Sequence, residues 1–157
     1  MVYRESGPLR QQLTALLPAF FNPRKAFHHY HSMATKIADQ HLTATDETAI
    51  KKLFYILRPL YACHWIERNR TMPPTLFHEM LGQGLAEDFI ERWIGEVLAA
   101  KKTAAEGERI GIPSGPTAWL HEKLTRLQEV AETLPAGNRG GALEDLNALF
   151  LQTVKGS

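Results

Sequence analysis

The chain has 157 residues, 44% of them hydrophobic and 22% charged, with a formal net charge of +1 and a single cysteine. Those values fit one globular domain that buries a core without disulfides or a structural metal, and they exclude a disordered or collagen-like polymer. They also exclude a domain that holds nucleic acid by bulk basic charge, so any anionic partner has to be met by a local cluster.

The opening MVYRESGPLRQQL lacks the apolar stretch of a secretory signal, and no run approaches the ~18 apolar residues that a membrane span requires. Lone Cys63 has no internal disulfide partner, which is compatible with a reducing compartment. The expectation is a cytoplasmic protein with no membrane association.

Helical periodicity runs through most of the chain. From Pro8 onward, Leu9, Leu13, Leu16 and Leu17 recur at spacings that define one face of an amphipathic helix, which Pro18 ends or bends. Asn22-Pro23 is a helix start, an N-cap followed by proline in the first turn. The helix it opens should reach about Leu42, with Ala26, Tyr30, Met33 and Ile37 facing inward. Thr45-Asp46-Glu47 then supplies a cap and an acidic first turn for a helix from about Asp46 to Arg68. After Met72-Pro73-Pro74 a short helix is expected from Thr75 to Leu81, punctuated by Gly82 and Gly84.

GLAEDFIERWIGEVLAAKK predicts another helix, with Leu85, Phe89, Trp93 and Val97 on its inner stripe. Residues 104–116, AAEGERIGIPSGP, are rich in glycine and proline and suit a loop or lid. Helices from about Pro116 to Leu134 and from Gly141 to Val154 follow, with LPAGNRGG as the turn between them. Only Val2 and Tyr3 suggest an extended segment. The fold class is therefore all-α, an irregular bundle of about six or seven helices in one domain over residues 8–155.

One segment carries a concentration of chemistry. In KKLFYILRPL, Lys51, Tyr55 and Arg58 lie at i, i+4 and i+7 and share one face, with Lys52 beside it. Leu53, Leu57, Leu60 and Trp65 make the apolar face that anchors the helix. A row of this kind suits a phosphate chain: lysine as a mobile point charge, arginine as a planar fork, tyrosine for a base or ribose. It equally suits a solvated surface. Pro59 removes the amide that would bond the Tyr55 carbonyl and disfavours α geometry at Arg58, so a kink there either turns Arg58 toward a cleft or serves packing alone.

Other constellations are weaker. His28, His29 and His31 cluster on one helix and Cys63-His64 on another, but HExxH and CxxC are absent and no carboxylate stands at ligand spacing, so no metal site is expected and the cluster has no assigned role. GxSxG is absent, and Cys63 lies in an apolar run where a thiol stays protonated. Asp46-Glu47, Glu87-Asp88 and Glu144-Asp145 are adjacent pairs on predicted helices. None has the Gly-Ser followed by Asp-x-Asp arrangement that holds two magnesium ions for nucleotidyl transfer.

Three blocks, VYRESGPLRQQLTALLPAFFNPRKAFHHYHSMA, KKLFYILRPLYACHWI and LNALFLQTV, resemble the C-terminal helical part of bacterial nucleotidyltransferases of the DNA polymerase beta superfamily, the group associated with RNA repair. NPRKAFHHY and KKLFYILRPL are the most specific parts, and the likeness is weakest between Gly84 and Leu134. The resemblance implies an N-terminal catalytic domain that is absent here, with residues 1–7 as the exit segment from it. It implies magnesium bound by that missing domain, and a nucleoside triphosphate and RNA as partners. His29, Tyr30, Lys51, Lys52, Tyr55 and Arg58 are the substrate contacts it implies for this chain, and no catalytic residue. At His64 the sequence departs from that group, where arginine is more frequent.

Two other readings stay open. Arg58 and His64, separated by five residues, resemble the Arg/His signature of HEPN-type metal-independent ribonucleases. A non-catalytic interaction module would use Trp65, Trp93 or Trp119 as a contact surface, although aromatic stripes are more often core.

Overall fold

The computed structural model describes residues 11–12, 15–16, 18, 20–42, 47–105, 107–135, 144 and 147–151. The exit segment 1–7, Leu9, Leu13 and Leu17 of the first expected helix, the Thr45-Asp46 cap, and most of LPAGNRGG and of the Gly141–Val154 helix lie outside the described residues.

Helix α1, Pro23–His41, begins where the sequence says it should. The Asn22 side chain accepts a hydrogen bond from the Lys25 amide at 3.0 Å, and Pro23 in the first turn gives up an amide that would have had no helical partner. Its inward stripe is rotated from the expected one. Phe27, Ala34 and Ala38 are buried, Ala26, Tyr30 and Ile37 flank them, and Met33 is 44% exposed. Small residues at positions 34 and 38 remove the bulk that would hold α1 away from its neighbour.

That neighbour is α2, Ile50–Asn69. The expected start near Asp46 is too early, because Glu47–Ala49 forms a strand, β1, paired antiparallel with β2, Arg109–Gly111. Register puts Thr48 opposite Ile110, and the Arg109 guanidinium donates to the Glu47 carbonyl at 2.7 Å. The Ile50 amide then bonds the Glu108 carbonyl at 3.0 Å, so pairing continues into the first helical residue. No strand was expected here, and 104–116 is therefore not simply a loop: it holds β2 and the start of a helix. Strands of three residues are too short to show an alternating pattern.

Leu53, Leu57 and Leu60 are fully buried as expected, and so are Ile56, Cys63 and Ile66. Pro59 is buried within a continuous helix. Arg70, with φ 57° in the left-handed region, ends α2 while its amide bonds the Ile66 carbonyl.

The short helix expected from Thr75 to Leu81 is a 3-10 helix, Phe77–Met80. Phe77 sets its ring edge-on to Phe54 and Tyr61, with centroids 5.9 and 5.3 Å away. Helix α3, Asp88–Thr103, buries Ile90, Trp93, Ile94 and Val97, whereas Phe89 is 47% exposed. Leu85, Trp93 and Val97 of the expected stripe are buried, and Phe89 alone departs from it: Ile90, a step of ~100° further round, takes its place in the core. Helix α4, Ser114–Thr133, packs Trp119, Leu120, Leu124, Leu127 and Ala131 into the core. Arg24 pairs with Glu132 at 2.7 Å, and the His31 ring bonds the Leu124 carbonyl at 2.8 Å. Those contacts run in opposite order along α1 and α4, which are antiparallel. The protein is thus mostly helical, with α2 surrounded by the other elements and one two-stranded ribbon at its start. No helix among the described residues is long and apolar enough to cross a membrane.

Candidate functional site

Burial of Leu53, Phe54, Ile56, Leu57 and Leu60 fixes the rotation of α2, and so decides what its outer face presents. Lys51, Tyr55 and Arg58 stand exposed in a row, as their spacing requires. A rise of 1.5 Å per residue separates the two cations by about 10 Å along the axis. Lys52, half-buried beside the row, holds its ammonium 5.9 Å from the centre of the Tyr55 ring. One Arg58 Nη donates to the Thr75 carbonyl at 2.7 Å, tethering the fork to the loop that follows α2.

Lys51 and Tyr55 also line a cleft of about 420 Å³, together with Ile50, Phe54, Lys101, Ala104, Ala105, Gly107 and Glu108. The cleft exists because β1 and β2 bring the segment after α3 against the start of α2. Lys101, from the last turn of α3, lies 4.2 Å from the centre of the Phe54 ring. It was not among the residues expected from sequence. The one signal it gives there is a Lys-Lys pair closing a predicted helix, a common complement to the helix dipole. The Glu108 carboxylate is in the same cleft, where one oxygen accepts from the Ala105 amide at 2.9 Å.

His29 and Tyr30 are placed elsewhere. Their rings meet edge to face at 5.7 Å, and they line a separate cleft of about 360 Å³ with Phe20, Phe21, Asn22, Ala26 and Met72. The two clefts share no lining residue. The loop after α2 connects them loosely, since Met72 closes one and Thr75 holds Arg58 beside the other. The histidine cluster also divides: His28 and His31 face a polar groove between α1 and α4. Among the described residues no three His, Cys, Asp or Glu side chains come together as a metal site.

The second half of α2 is built differently. His64 is 7% exposed; its Nε2 donates to the Gln83 carbonyl at 3.1 Å and its Nδ1 lies 3.5 Å from Glu67. Glu67 pairs with Arg126 at 2.5 Å, and Arg68 also donates to the Gln83 carbonyl. Arg58 and His64, six positions and about 240° apart on one helix, do not converge on a common substrate position. Burial pushes the Cys63 thiol well above its ordinary range, and the nearby Glu67 charge adds to that. Tyr61 is raised for the same first reason, then by the charge of Glu91, to which its hydroxyl donates at 3.1 Å. Neither is poised as a nucleophile at neutral pH.

Fold and site together define a mostly helical domain with a cationic row and an aromatic-flanked cleft at the start of its central helix. The chain belongs to the RNA repair pathway DNA polymerase beta family, whose model matches residues 1–152. It is 31% identical over 155 residues to the uncharacterized protein YcgL of Bacillus subtilis (strain 168), an alignment covering 99% of this chain and 59% of that relative. The chain therefore spans well under two thirds of the curated relative's length. No solved structure matches it.

Proposed function

We propose that this chain is the helical substrate-binding domain of a nucleotidyltransferase, supplying cations and aromatic rings to a nucleoside triphosphate and an RNA end. One observation carries the reading: Lys51, Tyr55 and Arg58 stand in a single exposed row on α2, beside a cleft that Lys51 and Tyr55 line. Lysine and arginine there offset the charge of a triphosphate and orient it for in-line attack by a hydroxyl at the α-phosphate. Lys52 supports Tyr55 from beside the row. His29 and Tyr30, in their more apolar cleft, suit unstacked bases of the RNA acceptor, which RNA-binding proteins hold on aromatic side chains.

The reacting carboxylates, and the magnesium they hold, would lie in a catalytic domain outside this chain. Family membership in an RNA-repair group supports the reading. Its test is calorimetric titration of ATP into the whole gene product that carries this chain. Lys51→Ala and Arg58→Ala should each weaken binding about tenfold, as loss of a charge-assisted hydrogen bond does. Unchanged affinity in both variants rejects the proposal.

A further inference from the structure

The cleft at the start of α2 contains a second cation from a different helix. Lys101 reaches it from the last turn of α3, while Lys51 and Tyr55 come from α2. The Lys101 ammonium lies 4.2 Å from the centre of the Phe54 ring. Phe54 is itself 7% exposed and packed edge-on to Phe77, so the surface on which the ammonium rests is set by the core. An ammonium resting on an aromatic face is held without a hydrogen-bond acceptor, so its N–H groups on the far side point away from the ring.

Two helices thus each bring a lysine to the lining of a single recess of about 420 Å³. That volume falls in the ~300–1,000 Å³ range of small-ligand sites and is too confined for a nucleic-acid duplex. Like charges gathered in one recess repel unless an anion lies between them. Glu108 offsets them in part, although its carboxylate is also engaged by the Ala105 amide. The first turn of α2 contains no acidic residue, so the positive end of the helix dipole adds to the field.

We infer that Lys51 and Lys101 form a two-lysine seat for the terminal phosphate of a nucleotide, with Tyr55 flanking the rest of the ligand. This rests on the nucleotide-binding reading proposed above and names Lys101 as a phosphate contact within it. A terminal phosphate carries up to two negative charges and three acceptor oxygens, whereas an internal phosphodiester has one charge. The seat therefore favours an end over a chain running through. A nucleoside triphosphate and a phosphorylated RNA end share that chemistry.

The experiment titrates the whole gene product with ATP and, separately, with a short oligoribonucleotide ending in either a 5′-phosphate or a 5′-hydroxyl. Lys101→Ala should weaken ATP or the phosphorylated oligonucleotide about tenfold or more, and Lys101→Arg should restore most of the loss. Which of the two ligands depends on Lys101 distinguishes the nucleotide from the RNA end. The hydroxyl-ended oligonucleotide should bind both proteins alike, and equal loss with it overturns the assignment to a terminal phosphate. If Lys101→Ala binds both phosphate ligands like wild type while Lys51→Ala or Arg58→Ala is weakened, the two-lysine seat is wrong and the nucleotide-binding reading stands. If all three variants bind like wild type, both fall. Lys101 is exposed, so the thermal midpoint of Lys101→Ala should match wild type and tie any loss to binding.

Discussion

The two halves of α2 put similar residue types to opposite uses. In the first half, apolar positions alternate with an exposed row of lysine, tyrosine and arginine, and the polar groups look outward. In the second half, Tyr61, Ala62, Cys63 and His64 are all buried in succession, and the polar groups are tied to the fold: His64 to Gln83, Tyr61 to Glu91, Glu67 to Arg126. A helix covered on one side has a face available for ligands. One covered all round can only hold neighbours in place. The exposed row of the first half should thus be soft in stability and sensitive in binding, and the buried positions of α2 the reverse.

The largest effect tests that division by stability. Leu57 is fully buried, and Leu57→Ala should cost about 2–5 kcal/mol, since a buried side chain is lost and the cavity closes only in part. Tyr55, two residues away and 45% exposed, loses an aromatic surface and a distant lysine contact, so Tyr55→Ala should cost less than ~1 kcal/mol. Urea unfolding midpoints at unchanged slope measure both. Comparable costs would mean that the exposed row belongs to the core after all.

A second effect comes from titration of the buried half. Cys63 is raised from its ordinary value of 9.0 and Tyr61 from 10.0, both mainly by burial. Their neutral forms are therefore favoured in the folded protein, which binds more protons than the unfolded chain once pH exceeds the unfolded value. Stability is fully present below about pH 9 and declines above it, by up to ~1.4 kcal/mol per pH unit for each group that ionises only on unfolding. Denaturation midpoints measured between neutral and strongly alkaline pH should fall in two stages, and Cys63→Ala should remove the first. A curve that the variant leaves unchanged would place the thiol in contact with water.

Much of this arrangement was legible in the residues themselves. Asn22-Pro23 announced α1, and the i, i+4, i+7 spacing of Lys51, Tyr55 and Arg58 survives as a physical row, because both depend on interactions local to one helix. The inner stripe of α1 is displaced, since Phe27, Ala34 and Ala38 are selected by how closely α2 approaches rather than by hydrophobicity alone, whereas that of α3 holds at Leu85, Trp93 and Val97 and departs at Phe89. The ribbon of β1 and β2 was missed, being three residues per strand and joined across the whole of α2 and α3. Lys101 was missed with it. Its place in the cleft follows from that pairing, a long-range contact that no periodicity reports. His29 and Tyr30, grouped with the row by resemblance, face a different cleft because α1 turns them away from the start of α2.

The smallest effect probes the balance of charge in the first half. Glu108 is the one carboxylate among the described residues lining the two-lysine cleft, and it reduces the field that a phosphate would meet there. Glu108→Gln removes the charge and keeps a carbonyl oxygen for the Ala105 amide, so the wall of the cleft should hold its shape. Affinity for ATP should rise roughly threefold, a modest change because the site is open to solvent and salt screens it. The gain should shrink as salt is added, which separates a charge effect from a change of shape. Weaker binding would instead assign Glu108 a hydrogen bond to the ligand, most simply to a ribose hydroxyl, and would make the exposed half of α2 part of a mixed-charge site rather than a cationic one.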